Sequence, residues 1–416
     1  MKLRPRTSIG LVRTRYEREK RLSLVGVLAL ALALSLPMPA AAAPQATDTV
    51  GDKAAGKLKI RLAALPDVTM RSGVLVDEEG RVLWARNASS RRQMASITKI
   101  MTAVVALERE KDLNRVIKVP PIAIRVGESA VELRAGEEIK LRKLLEDMLV
   151  KSGNDAATAV AIGVAGSPEE FVKLMNAKAA ELGLKNTKFK NVHGLDQAGH
   201  YSSARDIEAL SRYAMQNAEF RRIVGIKSIV IGKGKAARRV PASNWLLTNY
   251  KGATGIKTGW TDGAGYSISA SAERNGIKLY AVVLGTASER KRFVEAQELF
   301  DWGFTHYRPQ DLASKGSIVA ETPVRDYLDV TIPVAVSADS SATVIDLLGP
   351  ITRTVSVESS LSAPVGKGQK VGVLTFTQAD RVLASIPLVT TKAVRAPTRL
   401  ERLSIAVVRL WQRVFG

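Results

Sequence analysis

The chain of 416 residues contains no cysteine, so disulfides, thiol chemistry and thiolate zinc sites are all excluded from its mechanism. Aromatic residues amount to only 5%, and no basic run is studded with them in the way that single-stranded nucleic-acid binding requires. No nucleic-acid partner is therefore expected. After the N-terminal region no segment reaches the roughly 18 consecutive apolar residues of a transmembrane helix. Acidic residues are the minority charge, 40 Asp and Glu against 62 Lys and Arg, which leaves a formal net charge of +22. Residues 1–42 hold eight Lys or Arg against Glu17 and Glu19, so the remainder is still strongly basic. Outside the cytoplasm, the anions open to such a surface are lipid head groups, cell-wall polymers and substrate carboxylates.

At 46% hydrophobic residues the chain has enough apolar side chains for two or three packed domains. Its first stretch has a basic lead, an apolar run from Leu22 to Leu36 and then small residues, the layout of a secretory signal. Cleavage is expected after Ala42, because a cut one residue later would set Pro44 beside the scissile bond. A retained N-terminal anchor is the alternative. Residues 43–66 are rich in Ala, Asp and Lys without a clear period and are expected to be a linker.

Two strand-like runs, "SGVLVD" and "RVLWAR", flank Glu78-Glu79-Gly80 and predict a hairpin. From Ser96 to about Lys111 the positions Ile97, Ile100, Met101, Val104, Val105 and Leu107 predict a helix apolar on most sides, which belongs inside a domain. Helical patterns follow at "LRKLLEDMLV", "NDAATAVAIGV", "SPEEFVKLMNAKAAELG" and "SARDIEALSRYAMQN". The stretch from "KSIVIGKGKAARRV" to "GYSISASAERNGIKLYAVVLGTA" turns to strands, and "ERKRFVEAQELFDWGF" returns to helix. Strands early, helices in the middle and strands late predict one α/β domain of the α+β type, with the first hairpin joined to the later strands in a single antiparallel sheet. After about Pro309 almost no helix remains, which predicts a small all-β module. In the terminal "TRLERLSIAVVRLWQRVFG", Leu400, Leu403, Val407, Leu410, Trp411 and Val414 share one face, while Arg399, Arg402, Arg409 and Arg413 cluster on another. That pattern suits an interfacial helix on anionic lipid, or one that docks on its own protein or on a second copy.

Three short stretches carry candidate chemistry. "MASITKIMTA" sets Ser96 one helical turn before Lys99, so the amine can reach the hydroxyl. A lysine becomes a base only if burial, the helix N-terminus or a neighbouring cation disfavours its ammonium form. A second Ser-x-x-Lys occurs at Ser288 and Lys291, so the spacing alone carries little. "KSGNDAATA" adds Ser152-Gly153-Asn154, and "GIKTGWTDGAGY" adds Lys257-Thr258-Gly259 where the chain has turned to strand.

In this order the trio resembles the motifs of the penicillin-recognising serine enzymes, with Ser-Gly-Asn in the middle position. Together with "NVHGLD", "YSSARD" and "SGNDAATA" it is similar to the D-alanyl-D-alanine carboxypeptidases of the low-molecular-mass penicillin-binding proteins. The resemblance implies a β-lactamase-like catalytic domain over residues 67–307, its antiparallel sheet flanked by helices with an all-helical insertion. A small all-β domain over 308–394 and an amphipathic membrane-associating helix over 395–416 would follow. It further implies Ser96 as nucleophile, Lys99 as its base and Ser152 as proton relay. Asn154 would hold a substrate amide, and Lys257, Thr258 and Arg292 would face the terminal carboxylate. Gly259 would leave room for substrate along the strand, and the Ser96 and Trp260 backbone N–H groups would form the oxyanion hole. No cofactor or metal is implied. The expected partners are peptidoglycan stem peptides, β-lactam antibiotics and an anionic membrane surface, and the expected location is the periplasm or the outer face of the cytoplasmic membrane.

Rival readings use other residues. A β-lactamase would need a carboxylate for deacylation, and Glu181 is the candidate by position. A zinc peptidase could draw on His193, Asp196 and His200 in "HGLDQAGH", with His306 as the third histidine. An endopeptidase acting on cross-links shares every motif with the carboxypeptidase, and a wall-binding scaffold would carry a degenerate site.

Overall fold

The structure is a computed structural model that describes residues 65–415 and, before them, the backbone of two short strands, β1 (Thr49–Val50) and β2 (Lys53–Ala54). The expected export signal over residues 1–42 lies outside the described residues. The stretch read as a linker is in part structural, because β1 pairs antiparallel with β4 (Val82–Arg86), Thr49 opposite Ala85 and Val50 opposite Trp84. Backbone pairing along an open strand edge makes no demand on side-chain pattern, which is why composition does not reveal it.

The remaining strands of this sheet are β3 (Ser72–Asp77), β5 (Ala253–Gly259), β6 (Tyr266–Arg274) and β7 (Ile277–Thr286). They make a seven-stranded sheet in the order β2-β1-β4-β3-β7-β6-β5, so the early hairpin does join the late strands and β5 forms an edge. Successive side chains of a strand point to opposite faces. Val74, Val76, Val282 and Leu284 accordingly enter one buried cluster with the inner helices, while Leu75, Ala281 and Val283 enter a second with Phe293, Leu299 and Phe300. Cover on both faces explains why these strands are apolar without alternation.

Between β4 and β5 lie helices α1 (Lys99–Arg109), α2 (Leu141–Val150), α3 (Asn154–Ala165), α4 (Pro168–Glu181), α5 (Ala204–Ala214) and α6 (Ala218–Val224). Helix α1 is buried from Lys99 through Leu107, as its all-round apolar pattern implies. Its entry differs from the expected start at Ser96. Ala95 to Thr98 form a single 3₁₀ turn behind Ala95 at φ +50°, and regular α-helix begins at Lys99. Helix α6, capped by Asn217, was not foreseen from the sequence. The run at 228–241 pairs only with itself, as a two-stranded ribbon outside the main sheet. Helix α7 (Glu289–Thr305) follows β7, and Ser288 accepts a hydrogen bond from the Lys291 N–H at 3.3 Å. The chain's second Ser-x-x-Lys is thus a helix cap.

Strands β8 (Tyr307–Ala313) and β11 (Ser340–Ile345) pair with each other. Strands β9 (Ile318–Pro323), β10 (Thr331–Val336), β12 (Ile351–Val357), β13 (Lys370–Gln378) and β14 (Arg381–Thr390) form a five-stranded sheet in the order β9-β10-β14-β13-β12. Ile345, from this β domain, is fully buried in the same apolar cluster as Phe300 of α7. Gln378 ties the two β layers, its amide donating to the carbonyls of Ile345 and Gly349 and its oxygen accepting from the Ile345 N–H.

Helix α8 (Arg399–Phe415) ends the described chain with no buried residue. Arg409 donates to the carbonyls of Arg325 and Tyr327, while Leu400, Leu403, Leu410 and Trp411 are each at least 64% exposed. The apolar face is therefore not docked on the described part of this chain. Among the described residues no helix is long and apolar enough to cross a membrane.

Candidate active site

The edge strand β5, the turn before α1 and the residues leading into α3 enclose a cleft of about 1240 Å³. Ser96, Ser152, Asn154, Thr258, Gly259, Trp260 and Arg292 all line it. Residues far apart in sequence are thus brought together by the sheet closing on the helical insertion.

Lys99 is fully buried, and its Nζ lies 2.8 Å from Ser96 Oγ, 2.6 Å from Asn154 Oδ1 and 2.7 Å from the His193 carbonyl. All three partners are uncharged. A neutral amine has two N–H donors and one lone pair; Asn154 Oδ1 and the His193 carbonyl can only accept, so they take the donors. That leaves the lone pair for the Ser96 proton. Burial, and secondarily the Lys257 charge, hold the Lys99 ammonium well below the usual lysine range, with Asp155 and Glu128 acting in the opposite sense. The site therefore disfavours the charged form.

Ser152, at φ +69°, presents its hydroxyl to Lys257, whose Nζ donates to Ser152 Oγ at 3.0 Å and to the Thr258 carbonyl at 2.9 Å. Burial, followed by the nearby Arg292 charge, pushes Lys257 down to about 7. Asn154 is engaged at both ends of its amide, Oδ1 with Lys99 and Nδ2 with the Gly127 carbonyl at 3.0 Å. Its expected amide-holding role is thus joined by a second one, orienting the base.

The structure gives Gly259 a reason beside the one expected. A Cβ there would sit 2.9 Å from the Met94 carbonyl and 3.2 Å from the Ser96 amide nitrogen. Glycine lets the strand press against the turn that carries Ser96. Arg292 is 5% exposed and donates to the Gly259 carbonyl at 3.3 Å and to Glu289 at 2.6 Å. Its Nε is buried without a partner, so the guanidinium keeps an unused donor. Arg290 also lines the cleft but is exposed, so the two arginines face differently as helical spacing requires.

The rival residues have other occupations. His200 accepts from the Lys190 N–H at Nδ1 and meets Thr98 Oγ1 at Nε2, 2.8 Å away. Asp196 accepts from Thr261 and from the Gly263 N–H, His193 Nδ1 accepts from the Leu195 N–H, and His306 pairs with Asp346. Burial lowers His193 to about 3 and His200 to about 4, so both are neutral supports of the loop. Glu181 is exposed, pairs with Lys178 and does not line the cleft.

Three contributions went unread in the sequence. The His193 carbonyl holds Lys99; Gly194, at φ +99°, packs onto the Ala95–Ser96 peptide; Glu128, at φ +67°, lines the cleft mouth. Only the glycine in "NVHGLD" carried a signal, as a position open to positive φ.

Residues 60–288 match the family profile described as D-alanyl-D-alanine carboxypeptidase, and residues 307–396 match that of the penicillin-binding protein 5 C-terminal domain. The chain is 32% identical over 330 residues to the D-alanyl-D-alanine carboxypeptidase DacF of Bacillus subtilis, covering 76% of this chain and 84% of that one. It is 34% identical over 342 residues to DacC of Escherichia coli, covering 78% and 84%. Among solved structures, DacD from Francisella tularensis superposes with a TM-score of 0.59 at 27% identity, covering 80% of this chain and 95% of the other. Penicillin-binding protein 5 from Haemophilus influenzae gives 0.58 at 28%, covering 80% and 99%.

Proposed function

The chain belongs to the D-alanyl-D-alanine carboxypeptidase family, and from that premise we propose how its residues divide the reaction. The enzyme is a serine-type carboxypeptidase that removes the terminal D-alanine of peptidoglycan pentapeptide stems, and it belongs among the penicillin-binding proteins. Neutral Lys99 takes the Ser96 proton as Oγ bonds to the carbonyl carbon of the penultimate D-alanine. The resulting oxyanion is held by the backbone N–H groups of Ser96 and Trp260. As the C–N bond breaks, the Ser152 hydroxyl passes a proton to the departing amine and takes in return the one that Lys99 had accepted from Ser96, which leaves Lys99 neutral again. Water then attacks the Ser96 ester carbonyl, Lys99 accepting its proton and returning it to Ser96 Oγ as the ester C–O bond breaks, so that the shortened peptide leaves as its acid and the free serine and neutral lysine return.

Thr258, Lys257 and Arg292 receive the terminal carboxylate, while the substrate backbone adds to the free edge of β5 beside Gly259. A β-lactam presents a carbonyl and a carboxylate in a similar relation and acylates the same serine. The observation that carries this reading is the Lys99 amine, buried among neutral acceptors 2.8 Å from Ser96. Export by the segment 1–42, followed by attachment to the outer face of the cytoplasmic membrane through α8, completes the proposal. The exposed Leu and Trp face of α8 supports this attachment.

The test measures D-alanine released from a pentapeptide ending in D-Ala-D-Ala. Wild type is expected to release it, and Ser96→Ala to release none and to lose covalent labelling by penicillin. Release undiminished in Ser96→Ala would sink the mechanism.

A further inference from the structure

Glu128 is one of two carboxylates that line the cleft. Lys151, Arg290 and Arg292 line it too, and the only other acid there, Glu289, is paired with Arg292. Among the described residues Glu128 forms no ion pair and no side-chain hydrogen bond, and Lys151 on the same wall does not pair with it. Its position is nonetheless fixed on both sides by one residue: the Gly127 carbonyl accepts from Asn154 Nδ2 at 3.0 Å, and the Ser129 carbonyl from the Asn154 N–H at 2.7 Å. Between these ties the backbone of Glu128 is left-handed, a conformation that costs a non-glycine residue free energy and collects at functional positions. Ala95 and Ser152, which flank the chemistry, share that property.

The wall carrying Glu128 faces β5 across the cleft. In the proposed pose the terminal carboxylate sits at Thr258 and Arg292 and the reacting carbonyl at Ser96. The residue preceding the acyl D-alanine then leaves the reaction centre past Asn154, whose neighbours on that wall are Gly127 to Ser129. We propose that Glu128 is a specificity residue for the free side-chain ammonium of the diamino acid at the third position of the stem peptide. This rests on the carboxypeptidase reading above. A free ammonium is present only on stems that have not donated that amine to a cross-link; in a cross-link the nitrogen is an uncharged amide. Glu128 thereby directs the enzyme toward uncross-linked stems.

The experiment uses the full chain and two pentapeptides, one with a lysine at the third position whose side-chain amine is free, the other with that amine acetylated. The readout is kcat/KM for D-alanine release. Wild type is expected to favour the free amine by about twofold to fivefold, the range open to an exposed ion pair. Glu128→Gln is expected to bring the ratio near one, with a melting temperature confirming a folded protein. Glu128→Lys should reverse the preference toward a third, succinylated peptide. A wild-type ratio near one, or a preference retained by both variants, overturns the proposal. Failure of wild type to release D-alanine from any of the three peptides would instead overturn the carboxypeptidase reading.

Discussion

Replacing Gly194 by alanine should damage the nucleophile without touching a reacting group. An ideal Cβ at this position would lie 2.0 Å from the Ala95 carbonyl oxygen, 2.4 Å from its carbon and 2.9 Å from the Ser96 nitrogen. All three atoms are backbone, so no side chain can swing aside. Restoring even the 3.4 Å of ordinary contact requires the Ala95–Ser96 peptide to retreat by about 1.4 Å. That peptide plane carries the Ser96 N–H, the proposed oxyanion donor, and leads directly into Ser96, the proposed nucleophile. A misplacement of about 1 Å in a reacting geometry costs on the order of a hundredfold in rate, or about 2.7 kcal/mol of barrier. Overpacking and a left-handed alanine together should also lower stability by about 2–4 kcal/mol. The assay is the second-order rate of acylation by a fluorescent penicillin, measured below the melting temperature of the variant. Gly199→Ala is the control. It too is left-handed, at φ +79°, but its Cβ would meet only the flexible end of Lys190, at 3.3 Å. It should lose about 1–2 kcal/mol of stability and acylate within about twofold of wild type. Acylation by folded Gly194→Ala within about threefold of wild type would refute the reasoning.

Acylation should have a bell-shaped pH dependence. It falls in acid as Lys99 gains the proton that its site resists, and falls again as pH rises through about 7, where Lys257 loses the charge that receives the carboxylate. A kcat/KM profile that stays flat from pH 6 through 9 would contradict this. Arg292→Ala should raise KM for a peptide with a free C-terminal carboxylate by about tenfold or more, because a buried charged contact is lost, whereas Arg290→Ala should change it by less than about threefold. Equal effects would show that the exposed arginine shares the role. A chain ending at Thr398 should retain activity on soluble pentapeptide yet no longer sediment with anionic lipid vesicles. Vesicle binding equal to that of the full chain would remove the membrane role from α8.

How far the sequence reaches depends on whether information is stored in residue type or in long-range contact. Helix α1 was legible because Ile100, Met101, Val104 and Val105 leave almost no polar side, and the sheet because Val74, Leu75 and Val76 are apolar in succession. The three motifs named residues that meet at the cleft. They did not reveal what makes Lys99 basic, since its two other acceptors come from Asn154 and from a backbone carbonyl at His193, which has no side-chain signature. Positive φ at Ala95, Glu128 and Ser152 was equally hidden, because none of them is the glycine that advertises it. The pairing of Thr49–Val50 with β4 escaped for a similar reason: a backbone ladder at an edge leaves little trace in composition.

The burial of Ile345 beside Phe300 has a consequence for where the enzyme can work. The β domain is not strung to the catalytic domain by a slack tether; the two share a core, with Gln378 cross-tying the layers at that junction. If α8 seats the enzyme on lipid as proposed, that shared core would restrict how far Ser96 can swing relative to the surface, and so which stems lie within its reach.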